Sequence, residues 1–255
     1  MRVVIIGTGN TASVLGRLMK QSNHELLQVY GRTVSSAQEL ASQFGSRYCT
    51  DPAKIDLSAD IYVIAVSDDA IPGVANSLNL QNKLVVHTAG SVSKDVLKQA
   101  SRNYGVLYPL QSLRKEMKDL PLIPMLVDGN TIEDLTLIYD FALSLTNQVQ
   151  KANDEERLRY HLAAVMVNNF SNHLYTLVRN YCLQNGTDFN LLLPLVQQLP
   201  QRLSEHSPED LQTGPAIRND RETINKHLDL LANHPQIRSL YQLFTESIQN
   251  HYRDK

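Results

Sequence analysis

Near the start of the chain, Gly7-Thr8-Gly9-Asn10-Thr11-Ala12 carries the spacing G-x-G-x-x-A. Glycine at the first position permits a tight strand-to-helix turn, and glycine at the second lets the backbone approach an oxyanion. A small third residue lets the following helix lie close to its strand. A helix that begins there points unpaired N–H groups and the positive end of its dipole into the turn, an arrangement suited to a pyrophosphate. The spacing alone is common. Here it directly follows the apolar run Val3-Val4-Ile5-Ile6 and opens a helical stripe of Leu15, Leu18 and Met19, which is the context the motif needs.

The next strand pattern, 25–30, ends in Tyr30-Gly31-Arg32-Thr33, with Ser35 and Ser36 beyond. A site for NAD(H) usually places Asp or Glu at this strand end to hold the ribose 2′-hydroxyl. No carboxylate stands there. The Arg32 guanidinium with the hydroxyls of Thr33 and Ser35 suits a 2′-phosphate, because a planar fork grips two oxygens at once. The expected cofactor is therefore NADP(H); the competing reading of Arg32 is a solvated loop charge. Ala65-Val66-Ser67 and Thr88-Ala89 end two further strands and are expected to line the nicotinamide side, since ligands sit outside the carboxyl ends of parallel strands. Ser67 or Asp68 is also expected to cap the helix that follows.

A proton donor is sought on the helical pattern that starts at Asp154. His161, Val165, Asn168 and Asn172 recur at spacings of four, three and four, which places them on one helical face, with Tyr160 and Asn169 flanking. Histidine titrates near neutrality and suits a general acid, so His161 is the candidate proton donor. Asn168 is the candidate for orienting a carbonyl or imine, with Asn169 beside it on the substrate side. The competing reading makes these satisfied polar groups between helices. Farther on, Thr213-Gly214-Pro215 fixes a turn before Arg218 and Asp220 at a helix start, a setting in which Arg218 could bind a substrate carboxylate. An Arg218–Asp220 structural pair or a dimer contact is the alternative. His87 is a weaker candidate, a strand-end histidine expected to pack against its loop.

These residues need a scaffold. Strand patterns at 2–6, 25–30, 60–66 and 83–87, with short ones at 104–108, 124–128 and 147–151, alternate with helical patterns at 10–21, 34–44, 68–79 and 131–145. Such alternation means βαβ units and an α/β, Rossmann-like, doubly wound, mostly parallel sheet. After Asn153 the class changes. A helical pattern runs from Asp154 to Gln184 and stops at Asn185-Gly186, long enough to be a spine between two domains or two subunits. Helices at 188–199, 219–232 and 235–250 follow, the second with an Asn219/Glu222 capping box. The expected division is residues 1–152 as an NADP(H)-binding domain and 153–255 as an all-α C-terminal domain for substrate and dimerisation. Nine of the 11 glycines lie between Gly7 and Gly129, where strands must turn into helices.

Composition excludes several classes. With 255 residues, 24 Lys and Arg against 26 Asp and Glu give a net charge of −2. Cut after Gln150, the balance is 13 against 14 and then 11 against 12, so neither half offers the basic face a nucleic acid needs. No apolar run approaches the ~20 residues of a membrane span. Met1 leads straight into a strand and not into a signal peptide. Cys49 and Cys182 lack metal-ligand spacing and read as reduced thiols of a cytoplasmic protein, and no metal site is expected.

Four stretches carry a resemblance: His87-Thr88-Ala89-Gly90-Ser91, Tyr108-Pro109-Leu110-Gln111-Ser112, Tyr160 through Phe170, and Thr213 through Asp220. With the phosphate turn, they make the chain similar to two-domain reductases related to pyrroline-5-carboxylate reductase, 3-hydroxyisobutyrate dehydrogenase and 6-phosphogluconate dehydrogenase. It resembles most a bacterial branch that joins a Rossmann-like domain to a helical domain of unknown function. The resemblance implies an NADP(H)-dependent oxidoreductase that reduces a C=O or C=N group and dimerises through its helices. By analogy with small residues there in related dehydrogenases, Ser91 is a candidate for hydrogen bonding to substrate. The hydroxyacid dehydrogenases carry a catalytic lysine shortly before a paired Asn; here the pair is Asn168-Asn169 and the lysine position is Val165. Val165 cannot donate a proton, which leaves open an NADP(H)-binding sensor without turnover.

Overall fold

The computed structural model describes residues 1–253. Its first compact unit, Met1–Asn168, is built on one eight-stranded sheet in the order β3-β2-β1-β4-β5-β6-β7-β8. The strands are β1 (Arg2–Ile6), β2 (Glu25–Tyr30), β3 (Arg47–Cys49), β4 (Ile61–Ile64), β5 (Leu84–His87), β6 (Tyr104–Pro109), β7 (Met125–Gly129) and β8 (Val149–Lys151). All neighbours pair in parallel except β6 and β7. The helices are α1 (Asn10–Gln21), α2 (Val34–Phe44), α3 (Ile71–Ser77), α4 (Ile132–Leu145) and α5 (Asp154–Ala164).

The continuous apolar runs follow from burial on both faces. On β1, Val3 and Ile5 join the core under α1, α2 and α4, with Leu15, Phe44 and Phe141. Val4 and Ile6 point the other way, into a second core with Ile71 and Ala75 of α3 and Leu97 of a 3₁₀ turn. Helices thus cover both faces, and the sheet is doubly wound and mostly parallel.

Residues from Asn169 onward form the second compact unit. It is helical: α6 (Ser171–Gln184), α7 (Leu193–Arg202), α8 (Arg221–Leu230) and α9 (Pro235–His251). Few of its apolar side chains are buried: Cys182, Leu211, Ala216, Ile224 and Leu231. Leu183 and Leu191, by contrast, are 78% and 80% exposed.

Three local expectations are corrected. The long helical pattern is not uniform, because Val165–Phe170 is π-helical. A π turn bonds each residue to the fifth beyond instead of the fourth, so the chain rotates less per residue there. The four-three-four count from His161 therefore does not carry Asn168 onto the His161 face. The capping box sits elsewhere too: Asn153 and Glu156 form one at the start of α5. At α8 the cap is Asp220, which accepts the Thr223 N–H at 3.1 Å, while Asn219 takes a left-handed φ of 52°. Neither Ser67 nor Asp68 caps with its side chain; the turn at Asp68–Ala70 closes through the Ser67 carbonyl.

Among the described residues no helix is long and apolar enough to cross a membrane, and no cluster of His, Cys, Asp and Glu could hold a metal ion. Both cysteines are free and buried.

Candidate functional site

At the carboxyl ends of β1, β2 and β4 lies a cleft of about 540 Å³. Its lining includes Gly7, Thr8, Gly9, Asn10 and Thr11 from the first turn, Tyr30 to Arg32 from the second strand end, and Ala65 to Asp68 from β4. Gly7 has a φ of 127°, and a Cβ there would collide with the Ala65 carbonyl. Gly9 faces open space, with nothing within 4 Å of the position a Cβ would take. It precedes α1 without any side-chain cap, so the first N–H groups of the helix remain free for a ligand. Ala12 is buried beneath, where a larger side chain would push α1 off the sheet.

Arg32 lines the cleft, is exposed, and has no ion-pair or hydrogen-bond partner among the described residues. Thr33 donates its hydroxyl to Ser36 Oγ at 3.0 Å, and Ser35 is exposed in the first turn of α2. An open glycine, an uncapped helix start and an unpaired guanidinium at the second strand end fit a dinucleotide with a 2′-phosphate. Asn10 is partly engaged already, since its Oδ1 accepts the Lys115 N–H at 3.1 Å.

Beside the cleft, at the end of β5, Thr88 and Ala89 are buried and do not belong to the lining; the Thr88 hydroxyl bonds to the Ile64 carbonyl at 3.4 Å. His87 is fully buried, accepts the Ala89 N–H on Nδ1 at 3.2 Å, and is pushed down to about 4, first by burial and then by the Arg157 charge. It is neutral and structural. Ser91 donates to Asp68 Oδ2 at 2.6 Å, tying the loop after β5 to the cleft wall.

Sequence reasoning gave no role to Tyr108, the last residue but one of β6. Its hydroxyl lies 3.1 Å from Nδ1 of His161 on α5, with the rings edge to face. Gly90 makes this pairing possible: a Cβ there would stand 2.8 Å from His161 Nδ1 and 2.9 Å from Tyr108 Cζ. Burial raises the Tyr108 phenol, with the Asp68 charge adding to it and Arg157 opposing, so the hydroxyl keeps its proton. The available signal was position, because Tyr108 ends an apolar strand and the carboxyl ends of parallel strands carry ligands. His161 itself is half-buried.

Asn168 and Asn169 are exposed within the π-helical segment. In the second unit, Arg218 is exposed and forms no ion pair among the described residues; Asp220, its partner in the alternative reading, is held below the usual carboxylate range mainly by its hydrogen bonds to Thr223.

Comparison with known proteins follows this geometry. The family model described as "NADP oxidoreductase coenzyme F420-dependent" matches residues 2–90, and a domain of unknown function, DUF2520, matches residues 123–248. A search of curated proteins gave no match. Among solved structures, a "putative NADP oxidoreductase" from Bacteroides fragilis is 35% identical, with 98% of each chain covered and a TM-score of 0.89. The 1-pyrroline-5-carboxylate reductase of Streptococcus pyogenes is 16% identical over 98% of each chain, with a TM-score of 0.67. An imine reductase from Myxococcus stipitatus, solved with NADP⁺, is 14% identical over 99% of this chain and 94% of that one, with a TM-score of 0.64. On the Bacteroides match, the chain belongs to a family of two-domain, Rossmann-like oxidoreductases that shares its fold with pyrroline-5-carboxylate reductase.

Proposed function

We propose that the protein is an NADP(H)-dependent oxidoreductase that reduces the C=O or C=N group of a small, carboxylate-bearing substrate. The observation that carries this reading is the joining of the Gly7–Thr11 turn and the unpaired Arg32 in one cleft. Gly7 and Gly9 shape the turn for the pyrophosphate, the start of α1 binds it, and Arg32 with Thr33 and Ser35 takes the 2′-phosphate. Ala65, Val66 and Ser67 border the nicotinamide, with Thr88 and Ala89 behind them. When bound, the reduced nicotinamide supplies hydride. His161 is the proton source, Ser91 and the Asn168-Asn169 pair serve the substrate, and Arg218 holds its carboxylate.

The first 152 residues serve as the cofactor domain and the remainder as the substrate and dimerisation domain. A homodimer through the C-terminal helices is supported by the second unit's exposed Leu183, Leu191 and Leu195, an apolar surface with too little interior of its own. The two buried free thiols suit a cytoplasmic location.

Fluorescence titration of NADPH, followed by a panel of keto and imino acids monitored at the NADPH absorbance band, tests the reading. Binding with turnover supports it. Binding with no turnover across the panel favours the cofactor sensor, for which Val165 at the lysine position speaks. Absence of binding overturns both.

A further inference from the structure

Resting on the reductase reading, we propose that Tyr108 is the catalytic acid that touches the substrate, and that His161 recharges it. His161 presents its Nδ1 edge to Gly90 and to the Tyr108 hydroxyl, 3.1 Å away. A proton leaving Nδ1 therefore passes through the Tyr108 oxygen. Nε2 has no partner among the described residues, so it is the nitrogen that can exchange with solvent.

Tyr108 stands near the carboxyl end of β6, next to β5, whose loop carries Gly90 and Ser91. Through Ser91 that loop is bonded to Asp68, a cleft residue. The pair thus stands in the row of strand ends where the cofactor cleft is cut, which is where a reacting carbonyl or imine must lie.

The step balances as follows. As the carbonyl or imine carbon gains hydride, its π-bond breaks and the electron pair moves onto oxygen or nitrogen. That atom takes the Tyr108 hydroxyl proton. The phenolate takes the Nδ1 proton of a neutral His161 ring protonated there, while Nε2 takes a proton from a solvent acid, so the imidazole changes tautomer and stays neutral. The cofactor is oxidised and the substrate reduced by two electrons. Tyr108 suits the task because its burial keeps it protonated until the substrate oxygen or nitrogen becomes strongly basic. The charges that act on the Tyr108 hydroxyl are Asp68 beyond β4 and Arg157 on α5.

The test uses the full-length protein with NADPH and three probes: pyruvate, glyoxylate and the cyclic imine 1-pyrroline. Tyr108→Phe keeps the ring and removes the proton; kcat is expected to fall about 100-fold or more, with NADPH affinity within about twofold of wild type. His161→Gln, which retains hydrogen bonding but cannot pass a proton from one ring nitrogen to the other, is expected to lower kcat about tenfold or more with NADPH affinity within about twofold of wild type. Independently of turnover, ¹⁵N-histidine NMR should show the His161 Nδ1 resonance moving in Tyr108→Phe. An unmoved resonance, or undiminished kcat in Tyr108→Phe, overturns the proton route alone. A wild type that binds NADPH but reduces none of the probes overturns the reductase reading and the route with it.

Discussion

Arg157 and Asp154, one turn apart on α5 and bridged at 2.8 Å, hold the loop after β5 from both sides. Arg157 donates to the Val92 carbonyl, and Asp154 accepts the Lys94 N–H at 3.2 Å. One further turn along α5, His161 meets Gly90 and Tyr108. The helix and the loop are thus fastened at two successive turns, and the lower fastening fixes where His161 stands.

Arg157→Ala removes the lower fastening. The Arg157 side chain is only 1% exposed whereas Asp154 is 39% exposed, so the abandoned carboxylate stays hydrated and the cost is below that of a fully buried broken pair. A loss of about 1–3 kcal/mol is expected, read as a fall in Tm of about 2–4 °C per kcal/mol. An unchanged Tm would show that the clamp carries no stability.

The first two glycines of the phosphate turn are expected to fail differently. Gly7→Ala forces a side chain into a left-handed φ and against the Ala65 carbonyl, which costs at least about 1–3 kcal/mol and lowers Tm. Gly9→Ala, at φ −83° in open space, should fold with wild-type Tm yet lose about tenfold or more in NADPH affinity, because its methyl fills the phosphate's place. Equal NADPH affinity in Gly9→Ala and wild type would remove the phosphate from that turn.

His87 makes stability depend on pH. Its folded value of about 4 lies below the usual 6.5, so between these the unfolded chain binds the extra proton. Stability therefore rises with pH across that window and is lost as pH falls from 6.5 toward 4, by on the order of 3 kcal/mol. His87→Asn, able to accept the Ala89 N–H, should flatten the difference between melts at pH 7 and pH 5. Parallel pH profiles for the two proteins would exclude His87 as the cause.

Gly90→Ala places a methyl 2.8–2.9 Å from the His161 and Tyr108 rings, so the pair must part. About a 10- to 100-fold fall in kcat with NADPH affinity preserved is expected. Wild-type kcat would mean that the pairing is immaterial to turnover.

Much of the sheet was legible because burial on both faces writes continuous apolar runs: β1 and β5 fall where Val3–Ile6 and Leu84–Val86 place them, and β2 falls on a pattern broken only by Gln28 between Leu27 and Val29. Helix α2 was legible through Gly45, whose φ of 69° ends it. Strand β3 was not, because it is a short edge strand with Arg47 and Tyr48 exposed and only Cys49 buried. The phosphate turn and Arg32 were legible because local spacing sets them. The Tyr108–His161 pair was not: 53 positions separate the two, and only the packing of α5 against the β5 loop brings them together. The π-helical segment likewise left no mark in residue spacing, so a constant helical period misplaced Asn168.

The account centres on Arg32 reading a 2′-phosphate, and paired titrations of NADPH and NADH against wild type and Arg32→Ala test this most directly. Wild type should bind NADPH at least about tenfold more tightly than NADH, a margin of about 1.4 kcal/mol. Arg32→Ala should erase most of that margin by weakening NADPH while leaving NADH nearly unchanged. Equal affinities in the wild type, or NADPH binding untouched by Arg32→Ala, would refute it.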